Sequence, residues 1–130
     1  MWTFEITTGK MFAPDGSLAG TGYAGGNLGT IPQAINNPEY CNIPCVGPLP
    51  EGFYTFGELQ QHNPHLGQYV FPLIPDSDNK MFGRSGFYCH GGTSGGKQNA
   101  SEGCIVIPYV TRQAMHNSPD QRLQVVGTII

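Results

Sequence analysis

The chain has 130 residues and a net charge of −3, and its 19 Gly and 11 Pro take nearly twice the share usual in a globular domain. A Gly or Pro inside a helix costs roughly 1 to 3 kcal/mol relative to Ala, which excludes a helical bundle, and 11% aromatic with only 12% charged residues excludes a disordered chain. The six Lys and Arg residues are dispersed and no apolar run nears the roughly 18 to 20 residues of a bilayer span, so neither a nucleic-acid partner nor membrane insertion is expected.

Taken in order, Trp2, Phe4 and Ile6 alternate with Thr3, Glu5 and Thr7, the period of a strand with one buried face. These opening residues carry none of the basic, apolar and cleavage-site regions of a secretory leader. Thr8-Gly9 predicts a tight turn into Lys10–Ala13. Pro14-Asp15-Gly16-Ser17 predicts another, because Pro presets φ and Gly accepts positive φ. Gly20 to Pro50 reads as loop. Phe53–Phe56 and Tyr69–Phe71 read as strands separated by the polar segment Gln60 to Gly67. Gly86–His90 reads as a further strand and Cys104–Ile107 as a short apolar run. Pro108 to Asn117 is the helix, with Pro at its first position and no internal breaker. Leu123, Val125 and Thr128–Ile130 predict a closing strand. Without a repeat, linker or second composition, residues 1–130 are expected to form one mainly β domain with one or two short helices.

The residues with chemical potential gather between Gly83 and Ile105. Cys104 is a candidate nucleophile and His90 its candidate base, since an imidazole titrates near neutrality and can take a thiol proton. Gly91, Gly92, Gly95 and Gly96 let the backbone approach a ligand without a Cβ in the way. Gly103 leaves main-chain N–H groups to face a developing oxyanion, and Ser101 can bond the loop, the substrate or the imidazole. Arg84 is placed to meet a substrate carboxylate, although a solvent-facing Arg is the commoner case. Cys89, next to His90 on a strand, faces the other side and belongs to the core. Glu102 reads as a loop charge, and His116 as a favourable charge at a helix C-terminus. A Cys and a His taken at random are most often ordinary buried residues, so spacing alone leaves catalysis the less common outcome.

At these residues the chain starts to look like a known family. His90-Gly91 followed by Ser101-x-Gly103-Cys104-Ile105 resembles the signature of YkuD-type L,D-transpeptidases, and Pro50-Glu51-Gly52-Phe53-Tyr54 resembles their Pro-x-Gly-aromatic segment. The order His then Cys argues against papain-like and NlpC-type peptidases. Glu102 stands where the family usually has His, Val106 where Arg often follows, and the His-to-Cys loop is short. In these departures the chain looks more like the compact transpeptidase-like toxin effectors of type VI secretion.

The resemblance implies a compact single-domain β-sandwich or barrel that acts on the peptidoglycan stem peptide. Cys104 would attack the carbonyl between the L-centre of meso-diaminopimelate and D-Ala, with His90 moving the proton, Gly103 and Cys104 N–H groups holding the oxyanion, and Ser101 in support. Gly91, Gly92 and Arg84 would contact substrate. Hydrolysis, D-amino acid exchange and cross-linking all remain open, and no metal or organic cofactor is required. An immunity protein and a secretion-machine carrier would be the partners, with synthesis in the cytoplasm and action in the periplasm of a target bacterium. A non-catalytic peptidoglycan-binding module and a β-rich adaptor domain are the alternatives. Cys41-x3-Cys45 and His62-x2-His65 superficially suggest zinc. A Cys41–Cys45 disulfide is the stronger reading if the substrate lies in an oxidising periplasm, with free thiols the third.

Overall fold

In the computed structural model, residues 1–92 and 98–129 are described; Gly95, Gly96 and Ile130 lie outside the described residues. The opening alternation becomes β1 (Trp2–Glu5), which buries Trp2 and Phe4. The closing segment, β10 (Arg122–Val126), lies parallel to it, with Leu123 opposite Trp2 and Val125 opposite Phe4. β5 (Gly52–Phe56) runs antiparallel on the far side of β10 and sets Tyr54 against Leu123. Three alternating stripes thus share one buried face, and a one-residue slip in any of them would turn its apolar set to solvent. On the other side of β1, β2 (Lys10–Phe12) and β3 (Leu18–Thr21) form the expected meander. Its turn has Gly16 at φ +88 and Asp15 accepting from the Ser17 hydroxyl and main-chain N–H.

The path then crosses to the other half of the molecule through β7 (Gly67–Pro75), a strand of nine residues. Its C-terminal part pairs with β5, its middle with β8 (Tyr88–His90), and its N-terminal part with β6 (Gln60–Asn63). β9 (Ile105–Val106) lies parallel to β8, and β4 (Tyr23–Ala24) closes the path on β9. The result is one ten-stranded mixed sheet path, mainly β as expected. A single core runs through both halves, from Trp2 and Phe4 through Tyr54 and Phe71 to Cys89 and Ile105.

Among the described residues the one α-helix, α1 (Tyr109–Asn117), follows Pro108 and packs Met115 into that core. No helix among the described residues is long and apolar enough to cross a membrane.

The structure departs from expectation in three places. Gly20–Pro50, read as loop, holds the end of β3, all of β4 and two 3-10 turns, Pro32–Ala34 and Pro38–Tyr40, each opened by Pro. A two-residue strand has no period to detect. Gly22 stands beside β4 because a Cβ there would lie 2.0 Å from the Val106 carbonyl. The polar stretch after Gln60 is β6, whose turn is built by Asn63 Oδ1 accepting from the His65 and Leu66 N–H groups and by Gly67 at φ +91. The closing strand stops at Val126, after which Ile129 N–H donates to Glu5 rather than continuing the ladder.

Candidate active site

The site is built on the shortest strands of the sheet. Cys89 pairs with Ile105 and His90 with Val106. Cys89 and Ile105 are fully buried on the core side, and alternation turns His90 to the other side. Cys104 stands one residue before β9, where the next ladder bond would form. There the Tyr88 N–H donates to Cys104 Sγ at 3.3 Å, so the thiol itself takes the acceptor's place. This contact fastens the sulfur to the strand that carries the imidazole. Cys104 and His90 open on the same cleft of about 400 Å³, whose walls include Leu28, Glu102 and the tip of the β6–β7 hairpin at Asn63, His65 and Leu66.

His90 is 2% exposed, and its Nδ1 lies 2.7 Å from the Gly91 carbonyl oxygen. A carbonyl only accepts, so Nδ1 carries the proton and Nε2 keeps the lone pair a base needs. Burial pushes the His90 pKa below its ordinary value; the Gly91 carbonyl opposes this, and the positive charge of Arg112 adds to it. Burial also pushes the Cys104 thiol up, against the Tyr88 N–H; the Glu102 charge pushes it further up, while its own N–H and Arg84 pull it down. Near pH 7 the pair therefore rests as neutral thiol and neutral imidazole. Attack by sulfur requires the proton to move to Nε2 in the same event.

Ser101 organises the turn before the nucleophile. Fully buried, its Oγ accepts from the Gly25 and Gly103 N–H groups at 2.9 Å each and donates to the Cys104 carbonyl at 2.7 Å. Of the three roles open to it from sequence, it fills the one that bonds the loop. The same geometry corrects the expectation for Gly103: its N–H is spent on Ser101 Oγ and does not face an oxyanion. The N–H groups at the sulfur are those of Tyr88 and Cys104. Gly103 is needed for another reason, since φ is +143 and a Cβ would lie 2.6 Å from Arg84 Nη2.

Arg84 is the second correction. It is buried, not solvent-facing, and its Nη1 donates to the Cys41 and Pro48 carbonyls while Nη2 donates to those of Gly47 and Glu102. All four terminal N–H bonds are thereby occupied by main-chain carbonyls, so the terminal fork is not open to a substrate carboxylate. Gly91 and Gly92 border a neighbouring depression with Tyr109 and Arg112, and Gly91 also supplies the carbonyl that orients His90.

The Cys41–Cys45 disulfide is not formed. All four cysteines are free: Cys41 is buried with Sγ 3.5 Å from the Leu49 carbonyl and its pKa pushed up to about 11 by burial, whereas Cys45 is exposed beside Glu102. Among the described residues, Cys41, Cys45, His62 and His65 do not come together as a cluster able to hold a metal.

Sequence reasoning missed the hairpin tip, the Tyr88 N–H and Arg112. The Asn63-to-Gly67 spacing was a usable hairpin signal. A main-chain N–H has none, because every residue but proline carries it. Arg112 donates from α1 to the carbonyls of Gln68, Tyr69 and Ile107, and so clamps β7 to the end of β9 beside His90.

The short parallel strand pair of this mainly β domain thus brings a thiol and a main-chain-anchored imidazole to one cleft. The family model described as the Tlde1 domain matches residues 29–128, and the chain belongs to that family, whose members are type VI secretion effectors. No curated protein and no solved structure matches the chain.

Proposed function

We propose that this chain is a cysteine-dependent enzyme that cuts or exchanges the terminal D-Ala of peptidoglycan tetrapeptide stems, as a toxin acting in the periplasm of a target bacterium. The observation that carries the reading is the joint placement of Cys104 and His90: sulfur held by the Tyr88 N–H, imidazole held by the Gly91 carbonyl, both on one cleft. Membership of an effector family supports the toxin role and, with it, an immunity protein and a secretion-machine carrier as partners.

In the reaction, His90 Nε2 takes the Cys104 proton as Sγ attacks the carbonyl carbon between the L-centre of meso-diaminopimelate and D-Ala. The oxyanion that forms would be stabilised by the Cys104 N–H. Collapse breaks the C–N bond, His90 returns the proton to the leaving D-Ala amine, and a thioester to Cys104 remains. Water, a free D-amino acid or the amine of a second stem then takes the acyl group. Every proton in this cycle is carried by the imidazole.

The test is incubation of the purified protein with disaccharide-tetrapeptide and mass spectrometry of the products, beside Cys104→Ala. Loss of D-Ala, exchange or dimer formation is expected from the native protein, with at least a roughly 1000-fold slower reaction in the variant. Binding without product by the folded native protein overturns the enzymatic reading in favour of a binding module. Equal product from the variant removes Cys104 as nucleophile.

A further inference from the structure

The two corrections at Arg84 and Gly103 meet at one point. Arg84 is buried, and among the described residues its guanidinium has hydrogen-bond acceptors but no carboxylate partner; the ion pairs are Met1 with Asp120 and Arg122 with Asp76. A buried cation without a counter-charge opposes folding unless something else uses it. The four carbonyls it reaches divide unevenly. Three belong to the segment from Cys41 to Pro48, and one belongs to Glu102, two residues before the nucleophile. The main chain repeats the link, since Leu49 N–H donates to the Gly103 carbonyl at 3.0 Å. On its other face the guanidinium lies 5.0 Å from the Phe87 ring centroid, and Phe87 precedes the residue whose N–H holds Cys104 Sγ. Arg84 and Cys104 also line a common cleft of about 330 Å³ with Cys45 and Glu102.

We propose that Arg84 is a positioning residue for Cys104: it locks the Glu102–Cys104 turn between the 41–48 segment and Phe87, and holds an unpaired positive charge toward the nucleophile. This rests on the reading of Cys104 as the nucleophile. A lysine supplies the charge, but its single ammonium cannot reach four carbonyls arranged around a planar fork. A glutamine supplies neither the charge nor the fork. The two contributions can therefore be separated. The other titratable groups around the thiol are Tyr88, Cys89 and His90 from β8, Glu102 on its own turn, Cys45 from the 41–48 segment and His65 from the hairpin tip. All are common to every variant.

The experiment follows alkylation of Cys104 by iodoacetamide across pH, with peptide mass spectrometry to separate it from Cys41, Cys45 and Cys89, in native protein, Arg84→Lys and Arg84→Gln. Circular dichroism reports folding. Removing the charge in Arg84→Gln is expected to raise the alkylation midpoint. Arg84→Lys is expected to keep the native midpoint yet lose roughly tenfold or more in kcat on tetrapeptide with KM unchanged. A native midpoint in folded Arg84→Gln, native kcat in Arg84→Lys, or failure of both variants to fold overturns the proposal and leaves Arg84 a role in the fold alone. Because alkylation needs no peptidoglycan, an inactive native protein refutes the proposed function while the midpoints still decide the part played by the Arg84 charge.

Discussion

The two halves joined by β7 are held by different forces. Around β1, β10 and β5, strands of four or five residues lay alternating apolar side chains on one face, and register alone brings Phe4, Tyr54 and Val125 together. Around Cys104, β8 has three residues and β9 two, too few to hold a loop by ladder bonds. There Ser101, Arg84 and Arg112 reach main-chain groups in place of strand partners. The first half is specified by a pattern that tolerates exchange of one apolar residue for another. The second is specified by individual side chains, each bonded to particular main-chain groups. The candidate site sits in the second half, where irregular backbone leaves a thiol and an imidazole on one cleft.

The largest break in the comparison is expected from His90→Gln, which keeps a polar side chain but no base. Turnover should fall roughly 10² to 10⁴-fold while thermal stability stays near that of the native protein. Under the proposed mechanism His90 must be neutral to accept a proton, and burial holds its pKa below the ordinary value. Activity should therefore rise with pH along an acid limb lying below about pH 6.5, and a limb centred above about pH 7 in a kcat/KM profile speaks against His90 as the base.

Truncation in each half comes next. Phe4→Ala, in the apolar half, is expected to cost about 3 to 5 kcal/mol in denaturant unfolding while the folded fraction keeps its kcat. Ser101→Ala should cost less, about 2 to 4 kcal/mol, since it strands the Gly25 and Gly103 N–H groups and the Cys104 carbonyl. Its effect on kcat should nonetheless be the greater of the two, because two of the three stranded groups belong to the Ser101–Cys104 turn. A Phe4→Ala protein that loses more kcat than Ser101→Ala erases the distinction. Smallest of all is Cys89→Ala, on the core side of β8, which should lose about 1 kcal/mol and no activity. An inactive but folded Cys89→Ala protein would bring that thiol into the chemistry.

The same contrast explains what was legible in the sequence. β1, β5, β10 and α1 announce themselves by period and by Pro108, because burial of a stripe depends only on local order. His90 and Cys104 were legible through residue type and through likeness to a family motif. Arg84 was not. Its acceptors at residues 41, 47, 48 and 102 are main-chain carbonyls, identical at every position, and only folding selects them. Gly103 misled for a related reason: its importance was visible, but the N–H expected to serve an oxyanion serves Ser101, while the glycine itself makes room for a guanidinium. β6 was hidden by four polar residues in a strand with no buried face to betray it.

The carbonyl behind His90 has a consequence for how the protein survives before it meets substrate. A carboxylate in that place would stabilise an imidazolium and, across from it, a standing thiolate; Gly91 offers a dipole and no net charge. With its thiol held protonated by burial, Cys104 presents little of the thiolate that attacks peroxides and disulfides. Under the proposed mechanism, the reactivity of Cys104 would arise with the arriving carbonyl rather than be maintained at rest.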